Sequence, residues 1–468
     1  MTAIDEPELD EPPAPTSLAT AAARQLATTT KSTPQMRGTT PRHLLRKLAW
    51  VDVDAGTYRV NRRLTYARGD GRLAVVQTGQ EVALVPAELA ELPGLGSFDD
   101  PDGAVRLALA ARFTTRHAGA GEVLAEAGRA VEEILVLAHG KITGRRAGSY
   151  GDPAVLGTVG DGDHLGGRLL TEPAATWDAT LVTATPCVLL VLTRADLQEF
   201  LDATPRLRTH LERLAAAPTP PQTRHGEAAV HIAAGHTGEP ALTPTFVDYD
   251  LAPREYPMSV AQTMVRVHTR VADLYDEPMD QTEQQLRLAI DELLEHQEHE
   301  LLHHRDFGLL NNVAFNQRVQ TRTGPPTPDD LDDLLTRRRS TRFFLAHPRA
   351  IAAFHRECTR RGVHPDPVDD DGRPRAAWRG VPILPCDKIP ISRAGTSSIL
   401  AMRTGEASSG VVGLRPGSVP DQVRPGVSVR RTGIDGSAVT TYQVSAYFSA
   451  AVLLPDALGV LENVELGR

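Results

Sequence analysis

The residues best placed for chemistry are His299-Glu300-Leu301-Leu302-His303. They form an H-E-x-x-H pattern in a segment predicted to be helical. One helical turn would set both imidazoles on one face to share a zinc ion, with the glutamate as general base. The pattern lacks its third ligand. His304-Arg305-Asp306-Phe307-Gly308 follows at the wrong spacing for a further histidine, and no Glu occurs between Glu300 and Glu357. The stretch from His296 to His304 is rich in Glu, His and Gln, which produces such a match by composition alone. A solvated or intersubunit helix face is therefore expected, on which His296, His299 and His303 could hold at most adventitious zinc or nickel. There is no Gly-x-Ser-x-Gly elbow, Walker A loop or dinucleotide fingerprint, and Thr396-Ser-Ser398 and Ser408-Ser-Gly410 read as turns. No constellation reads as catalytic, so no enzyme, no catalytic residue and no resident metal are expected.

A second set of residues is spaced to hold a ligand. Ala118-Gly-Ala-Gly-Glu-Val123, Gly128, Ile134 to Ile142 and Gly160-Asp-Gly-Asp-His-Leu-Gly-Gly167 have the glycine cadence of a β-roll, and residues 105–214 resemble the cyclic-nucleotide-binding family. The resemblance implies a short helix start whose amides cradle a cyclic phosphate, a glutamate for the ribose hydroxyl and an arginine for the phosphate. The matching cassette is Gly166, Gly167, Arg168, Thr176, Trp177, Ala179 and Thr180. Gly167 or Arg168 stands where the glutamate belongs, and Thr176 or Trp177 where the arginine belongs. Losing both removes the charge-assisted contacts, each worth roughly 1.5–3 kcal/mol. Arg168 could meet a phosphate from the other side, and Trp177 could stack on a base or isoprenoid. The expectation is no cofactor, with a roll kept for its shape or for a changed ligand in preference to cyclic AMP.

The rest of the chain must position these residues. Its 468 residues, 41% hydrophobic and 23% charged, can bury a substantial core and make two or three domains. No run of eighteen apolar residues occurs, and Met1 to Pro15 is acidic and Pro-rich, which argues against a membrane span or a secretory signal. Cys187, Cys358 and Cys386 are too scattered for a disulfide framework or zinc site and suit a reducing cytoplasm. A net charge of −9 argues against a nucleic-acid binder. The basic clusters Arg42 to Lys47 and Arg337-Arg-Arg339 read as solvated faces or intersubunit pairs.

Along the chain, at least the first dozen residues read as a disordered tail. Thr40 and Pro41 read as the cap and first turn of a helix to Leu48. Residues 56–66, 74–76 and 81–85 read as extended, Thr193 to Leu201 and Pro205 to Leu214 as helical, and Ala215 to His225 as a linker. Residues 228–232 and 245–249 read as extended again. Val260, Met264, Val267, Val271 and Leu274 keep a helical period, so a long helix is expected from Ser259 to Arg305, broken at Pro278. Thr327-Pro328 should cap a helix to Leu335, and Pro348 to Arg361 a second that stops at Gly362. Strands are expected at 381–384, 427–431 and 442–454. The class is α+β. The domain reading is a tail and arm (1–50), the first part of an outer domain (51–92), the β-roll (93–214), a linker (215–227), the return of the outer domain (228–258) and a spine-helix body (259–468). Joining Pro93–Pro101 to Ala215–His225 with a short Gly/Ser linker should leave the flanks soluble and still able to assemble.

The regulator order of β-roll then helix-turn-helix fails, because Pro218, Pro220 and Pro221 follow Leu214. The flanks instead resemble family 2B encapsulin shell proteins. The stretches that carry this are Leu26 to Met36, Gly56 to Arg63, Arg254 to Thr263, Arg266 to Tyr275, Thr323 to Asp330, Ala346 to Ile351, Met402 to Glu406, Ser445 to Val452 and Pro455 to Leu458. The resemblance implies the tailed-phage major capsid fold (α+β), with 51–92 as the E-loop and first part of the capsid-like domain, the β-roll inserted in that E-loop, 228–258 as its return, and 259–468 as a peripheral domain with the spine helix plus an axial domain. It also implies about 60 copies in an icosahedral nanocompartment, a cargo enzyme such as a terpene cyclase or polyprenyl transferase, a cytoplasmic location, and neither nucleic acid nor membrane as partner. A soluble ligand-responsive regulator and a metallohydrolase are the alternatives.

Overall fold

The computed structural model describes residues 32–467, apart from 55, 65–70, 79–80, 148–152, 218–220, 224–225, 231–246, 251–252, 269–279 and 323. The expected tail falls outside these residues, as do Pro278, Val271, Leu274 and residues 218–220 and 224–225 of the linker.

The shell-like body has two sheets. The first joins β1 (Ala49–Val53), β22 (Val411–Pro416), β25 (Val439–Val452), β24 (Val427–Ile434) and β23 (Gln422–Arg424) in that order, with β14 (Ser259–His268) paired along β25. The second runs β15 (Arg318–Gln320), β26 (Leu458–Glu465), β21 (Thr396–Met402), β16 (Phe343–Ala346), β20 (Val381–Pro385) and β19 (Ala377–Trp378). The helix α5 (Gln281–His303) is the spine of the first sheet: Ile290, Leu293, Leu301 and Leu302 share one core with Phe448, Ala450 and Val412. Under the second sheet, α6 (Pro328–Thr336) and α7 (Pro348–Arg360) bury Leu331, Leu334 and Phe354 against Phe344 and Leu461. Thr327 and Asp330 form the expected capping box, and Gly362 takes a left-handed φ of 70° just past α7.

The expected helix from Ser259 is a correction. Residues 259–268 are a ten-residue strand in antiparallel register with β25, from Ser259 opposite Phe448 to His268 opposite Val439. Val260 and Met264, which suggested a helical stripe, point outward, while Ala261, Val265 and Val267 turn to the core. The period is two, and the β-branched Val and Thr content favours the pleated surface. Asp280 caps the true helix by accepting from Glu283 N. Thr40 is a second correction: the first helix α1 (His43–Lys47) starts after Arg42, and Thr40 turns its amide and hydroxyl to Glu295. Arg338, expected on a solvated face, is buried beneath Gly459 and donates to Gln317 O. A Cβ at Gly459 would collide with its guanidinium.

The inserted roll packs β10 (His164–Leu165), β7 (Glu133–His139), β12 (Cys187–Thr193) and β5 (Thr114–Ala118) against β6 (Val123–Ala125), β11 (Thr180–Thr183), β8 (Ile142–Ala147) and β9 (Pro153–Val159). Helices α2 (Ala104–Ala110), α3 (Arg194–Ala203) and α4 (Pro205–Ala216) close one end. Its larger core also draws on Leu73, Leu84, Leu89, Leu92, Leu95 and Phe98, several of them on the N-terminal side of position 93, through the hairpin β3 (Val75–Thr78) and β4 (Glu81–Leu84) and a 3-10 turn. The return limb β13 (Arg254–Pro257) pairs with β2 (Thr57–Val60), which closes the outer domain around the insertion.

Candidate functional site

The residues expected to form a ligand cassette lie close together in the roll. Gly166, at φ 76°, opens a 3-10 turn over Gly167–Leu170. A Cβ there would lie 2.4 Å from Glu133 O and 3.0 Å from the Trp177 ring, so only glycine lets this backbone approach so closely. Trp177 is held by its amide on Arg129 O at 2.9 Å and by Gly128 N on its carbonyl at 2.8 Å, and its ring packs against both cores of the roll. Trp177 is thus a packed core side chain, next to Thr176, whose carbonyl accepts from Arg168. Arg168 points at Asp178, with Nη2 2.6 Å from Oδ2, and also donates to Thr176 O at 3.3 Å. Thr180 Oγ1 accepts from Ala127 N, and Ala179 packs over Gly144. Thus Gly166 and Trp177 meet, Gly167 offers no carboxylate, and the one cation of the cassette is engaged by a neighbouring carboxylate.

Beside Trp177 a cleft of about 410 Å³ is lined by Leu124, Glu126, Arg129, Glu132 and Glu133. Each of its glutamates faces an arginine: Glu126 with Arg129, Glu132 with Arg194, Glu133 with Arg116. The cleft offers a phosphate no unpaired cation.

The H-E-x-x-H residues do not converge. The His299 and His303 rings stack 4.3 Å apart at 29°, so their in-plane lone pairs run alongside each other instead of meeting at a point. His303 Nε2 lies 2.7 Å from Lys388 O, which commits that nitrogen as a donor. Burial and the neighbouring His303 hold the His299 imidazole below its ordinary pKa. Glu300 sits 4.0 Å from His296, and no group of three or more ligating side chains is found among the described residues. Glu300→Gln is expected to leave assembly unchanged and to alter no peptidase activity, checked with fluorogenic peptides with and without zinc; metal-dependent cleavage lost in the variant would contradict this.

Two sites of structural consequence escaped sequence reasoning. One is a buried clasp on the spine helix beside these histidines. Lys388 Nζ donates to Glu295 Oε2 at 2.6 Å, Glu298 Oε2 at 2.8 Å and Thr40 Oγ1 at 2.9 Å, using all three of its protons. Glu298 Oε1 accepts Leu44 N at 2.9 Å, and Glu295 Oε1 accepts Thr40 N at 2.8 Å. The arm before β1 is thereby pinned to the spine. A signal existed: Glu298 falls on the apolar stripe of Ile290, Leu294 and Leu301, where a charge must find a partner. The other is a seam between roll and shell-like body. Arg72 Nε donates to Asp163 Oδ1 at 3.0 Å and its Nη atoms grip Glu462 at 3.1 and 2.5 Å, while Lys141 Nζ reaches Thr321 O and Oγ1 at 3.1 and 2.9 Å. Glycine at 160 lets the roll close on Gln320, whose amide would lie 2.6 Å from a Cβ there. No sequence pattern announces a contact between residues 72, 163 and 462.

No helix among the described residues is long and apolar enough to cross a membrane. Comparison with known proteins bears on the whole arrangement. The family model described as "Type 2A encapsulin shell protein SrpI-like" matches residues 215–468, and that of the cyclic nucleotide-binding domain matches residues 115–204. The type 2A encapsulin shell protein SrpI of Synechococcus elongatus is 52% identical over 238 residues, covering 51% of this chain and 78% of the relative. A type 2A encapsulin shell protein of Mycobacterium leprae is 50% identical over 242 residues, covering 51% of this chain and 78% of the relative. The cryo-EM structure of the holo-SrpI encapsulin complex from Synechococcus elongatus superposes with a TM-score of 0.54 at 32% identity, covering 97% of this chain and 98% of that one. The match reaches across the limbs before and after the roll as well as the spine-helix body, and the chain belongs to the SrpI-like encapsulin shell proteins, with a domain of the cyclic-nucleotide-binding type set within the shell fold.

Proposed function

We propose that about 60 copies of this chain close into an icosahedral shell in the bacterial cytoplasm, with the roll on its outer face, around a cargo enzyme of the terpene cyclase or polyprenyl transferase kind. What carries this reading is the shell-protein match over nearly the whole chain, together with a subunit surface that needs neighbours. The strand β14 has one edge unpaired among the described residues, and Val260 and Met264 stand 43% and 57% exposed on it. Such an edge and face are pairing surfaces, and repeated heterologous contacts of this kind generate closed assemblies. The purified chain should elute at the void of a sizing column and appear as uniform hollow particles in negative stain. Monomers or dimers alone at micromolar concentration would exclude a shell.

The roll, in this reading, is a surface module that uses no cyclic nucleotide. Neither Gly167 nor Arg168 has a carboxylate for a ribose, neither Thr176 nor Trp177 has a cation for a phosphate, and Arg168 faces Asp178. Isothermal titration with cyclic AMP or cyclic GMP at millimolar concentration is expected to give no heat. Micromolar binding abolished by Arg168→Ala would instead establish a ligand-responsive shell in which Arg168 leaves Asp178 for the phosphate.

A further inference from the structure

A groove of about 380 Å³ lies between α1, the spine helix and the first sheet, well away from the roll. Leu45, Trp50, Leu294, Val427 and Tyr447 make its floor apolar, and Arg42, Arg46, Arg415 and Arg424 stand round it. Two of these arginines are occupied: Arg42 pairs with Asp291 and Arg415 with Asp52. Arg46 and Arg424 are exposed and form no ion pair among the described residues. Gln297 also lines the groove, and its side-chain amide makes no hydrogen bond among the described residues. That amide is open to bond the backbone of an occupant. The floor calls for an apolar side chain and the rim for carboxylates on either side of it.

The chain itself carries such a segment. Asp5-Glu6-Pro7-Glu8-Leu9-Asp10-Glu11 has five carboxylates in seven residues, with Leu9 as its one large apolar side chain, and lies outside the described residues. Pro7 within it and Pro12-Pro13 just after it favour an extended backbone whose peptide groups stay open for bonding. Pro34 is fixed on the spine helix, its carbonyl accepting from Arg287. Leu294 and Gln297 lie about 10–15 Å further along that helix, and a flexible chain of the 25 residues from Leu9 to Pro34 has a root-mean-square span of about 25–30 Å. The groove is thus within reach of the same subunit's segment, at high effective concentration. We propose that this groove is a docking site for the acidic segment 5–11 of this chain, with Leu9 on the Trp50 and Leu294 floor and its flanking carboxylates on Arg46 and Arg424.

The proposal does not depend on shell closure, because docking is expected in unassembled and assembled subunits alike. The test uses the full chain with a benzoylphenylalanine photo-crosslinker in place of Leu9, read by peptide mass mapping in mixed isotope-labelled and unlabelled subunits. Cross-links should fall on peptides containing Trp50, Leu294 or Tyr447, with the isotope pattern separating the same subunit from a neighbour. Arg46→Glu with Arg424→Glu should lower their yield about tenfold, and Glu8→Lys with Asp10→Lys should restore it in that background. Restoration shows that the charge-reversed chain is folded and that the pairing is direct. Cross-links scattered over the surface, links to cargo alone, or a yield untouched by charge reversal would each overturn the assignment.

Discussion

Replacing Lys388 by methionine, which keeps the length of the side chain and removes its charge, is expected to destabilise the subunit by about 3–5 kcal/mol. The magnitude follows from what stays behind. The Glu298 side chain is 1% exposed and that of Glu295 9%, so both carboxylates would lose their shared cation without gaining water. Adding Glu298→Gln should recover part of the loss, because the glutamine oxygen can still accept Leu44 N while one buried charge is gone. Urea unfolding midpoints for the two variants and the parent would read this; a single-variant change below about 1 kcal/mol would mean that the clasp behaves like a surface pair. The pH dependence has a definite sign. Burial raises the Glu295 carboxyl, but the Lys388 and Thr40 hydrogen bonds outweigh it and leave the pKa below 4.5, so its contribution is present above that pH and fades as pH falls through the folded value. Burial lowers Lys388, but Glu295 and Glu298 outweigh it and leave its pKa above 10.5, so its contribution is present below that pH and fades as pH rises through the folded value. The difference between parent and variant should be largest below about pH 10.5 while the carboxylates are ionised in both, and should shrink as pH falls toward the carboxylate range and as it rises past 10.5.

Local signals were legible where local chemistry decides the structure. The Thr327-Pro328 cap, the stop at Gly362 and the glycines of the roll each answer to a backbone need that the sequence displays, and the family stretches in the flanks carried the rest of the fold. The strand at 259–268 was misread because Val260, Met264 and Val267 satisfy a helical stripe when the sheet partner is unknown. Its partner β25 lies about 180 residues away, and only that pairing decides which side chains face inward. Within the cassette, the sequence carries no glutamate and no arginine at the positions where the resemblance expects them, but it does not display the Asp178 contact that holds Arg168. Asp178 is a residue of ordinary type on a turn, and only the fold sets it within 2.6 Å. The H-E-x-x-H pattern failed for a related reason: rotamers and the Lys388 carbonyl, invisible in the pattern, set where the imidazole nitrogens point.

Two deletions of the roll are expected to give opposite results. We propose that the inserted unit begins near Gly71, because Leu73, Leu84, Leu89 and Leu92, each at most 5% exposed, pack in the same core as Leu170, Leu190 and Leu207 of the roll. Joining Pro93 to Ala215 removes those partners and uncovers the four leucines. At roughly 1.5–3 kcal/mol for each fully buried side chain, about 6–12 kcal/mol of apolar burial is lost. The exposed patch should drive aggregation. Joining Gly71 to Gln222 through a short Gly/Ser linker removes the leucines together with the core they serve. The ends suit such a joint, since Leu64 O accepts Ala228 N at 3.2 Å and Ala228 bridges to Gln222. What this second deletion sacrifices is the seam, and the shell side of the seam keeps its own partners: Glu462 still accepts from Arg318 at 2.9 Å and Gln320 at 2.8 Å, and Thr321 Oγ1 still donates to Asn463 O at 2.8 Å. The Gly71 deletion should therefore stay soluble and form smooth particles in negative stain, while the Pro93 deletion should pellet. Soluble particles from the Pro93 deletion in yield equal to the Gly71 deletion would show that residues 73–92 fold with the shell and not with the roll.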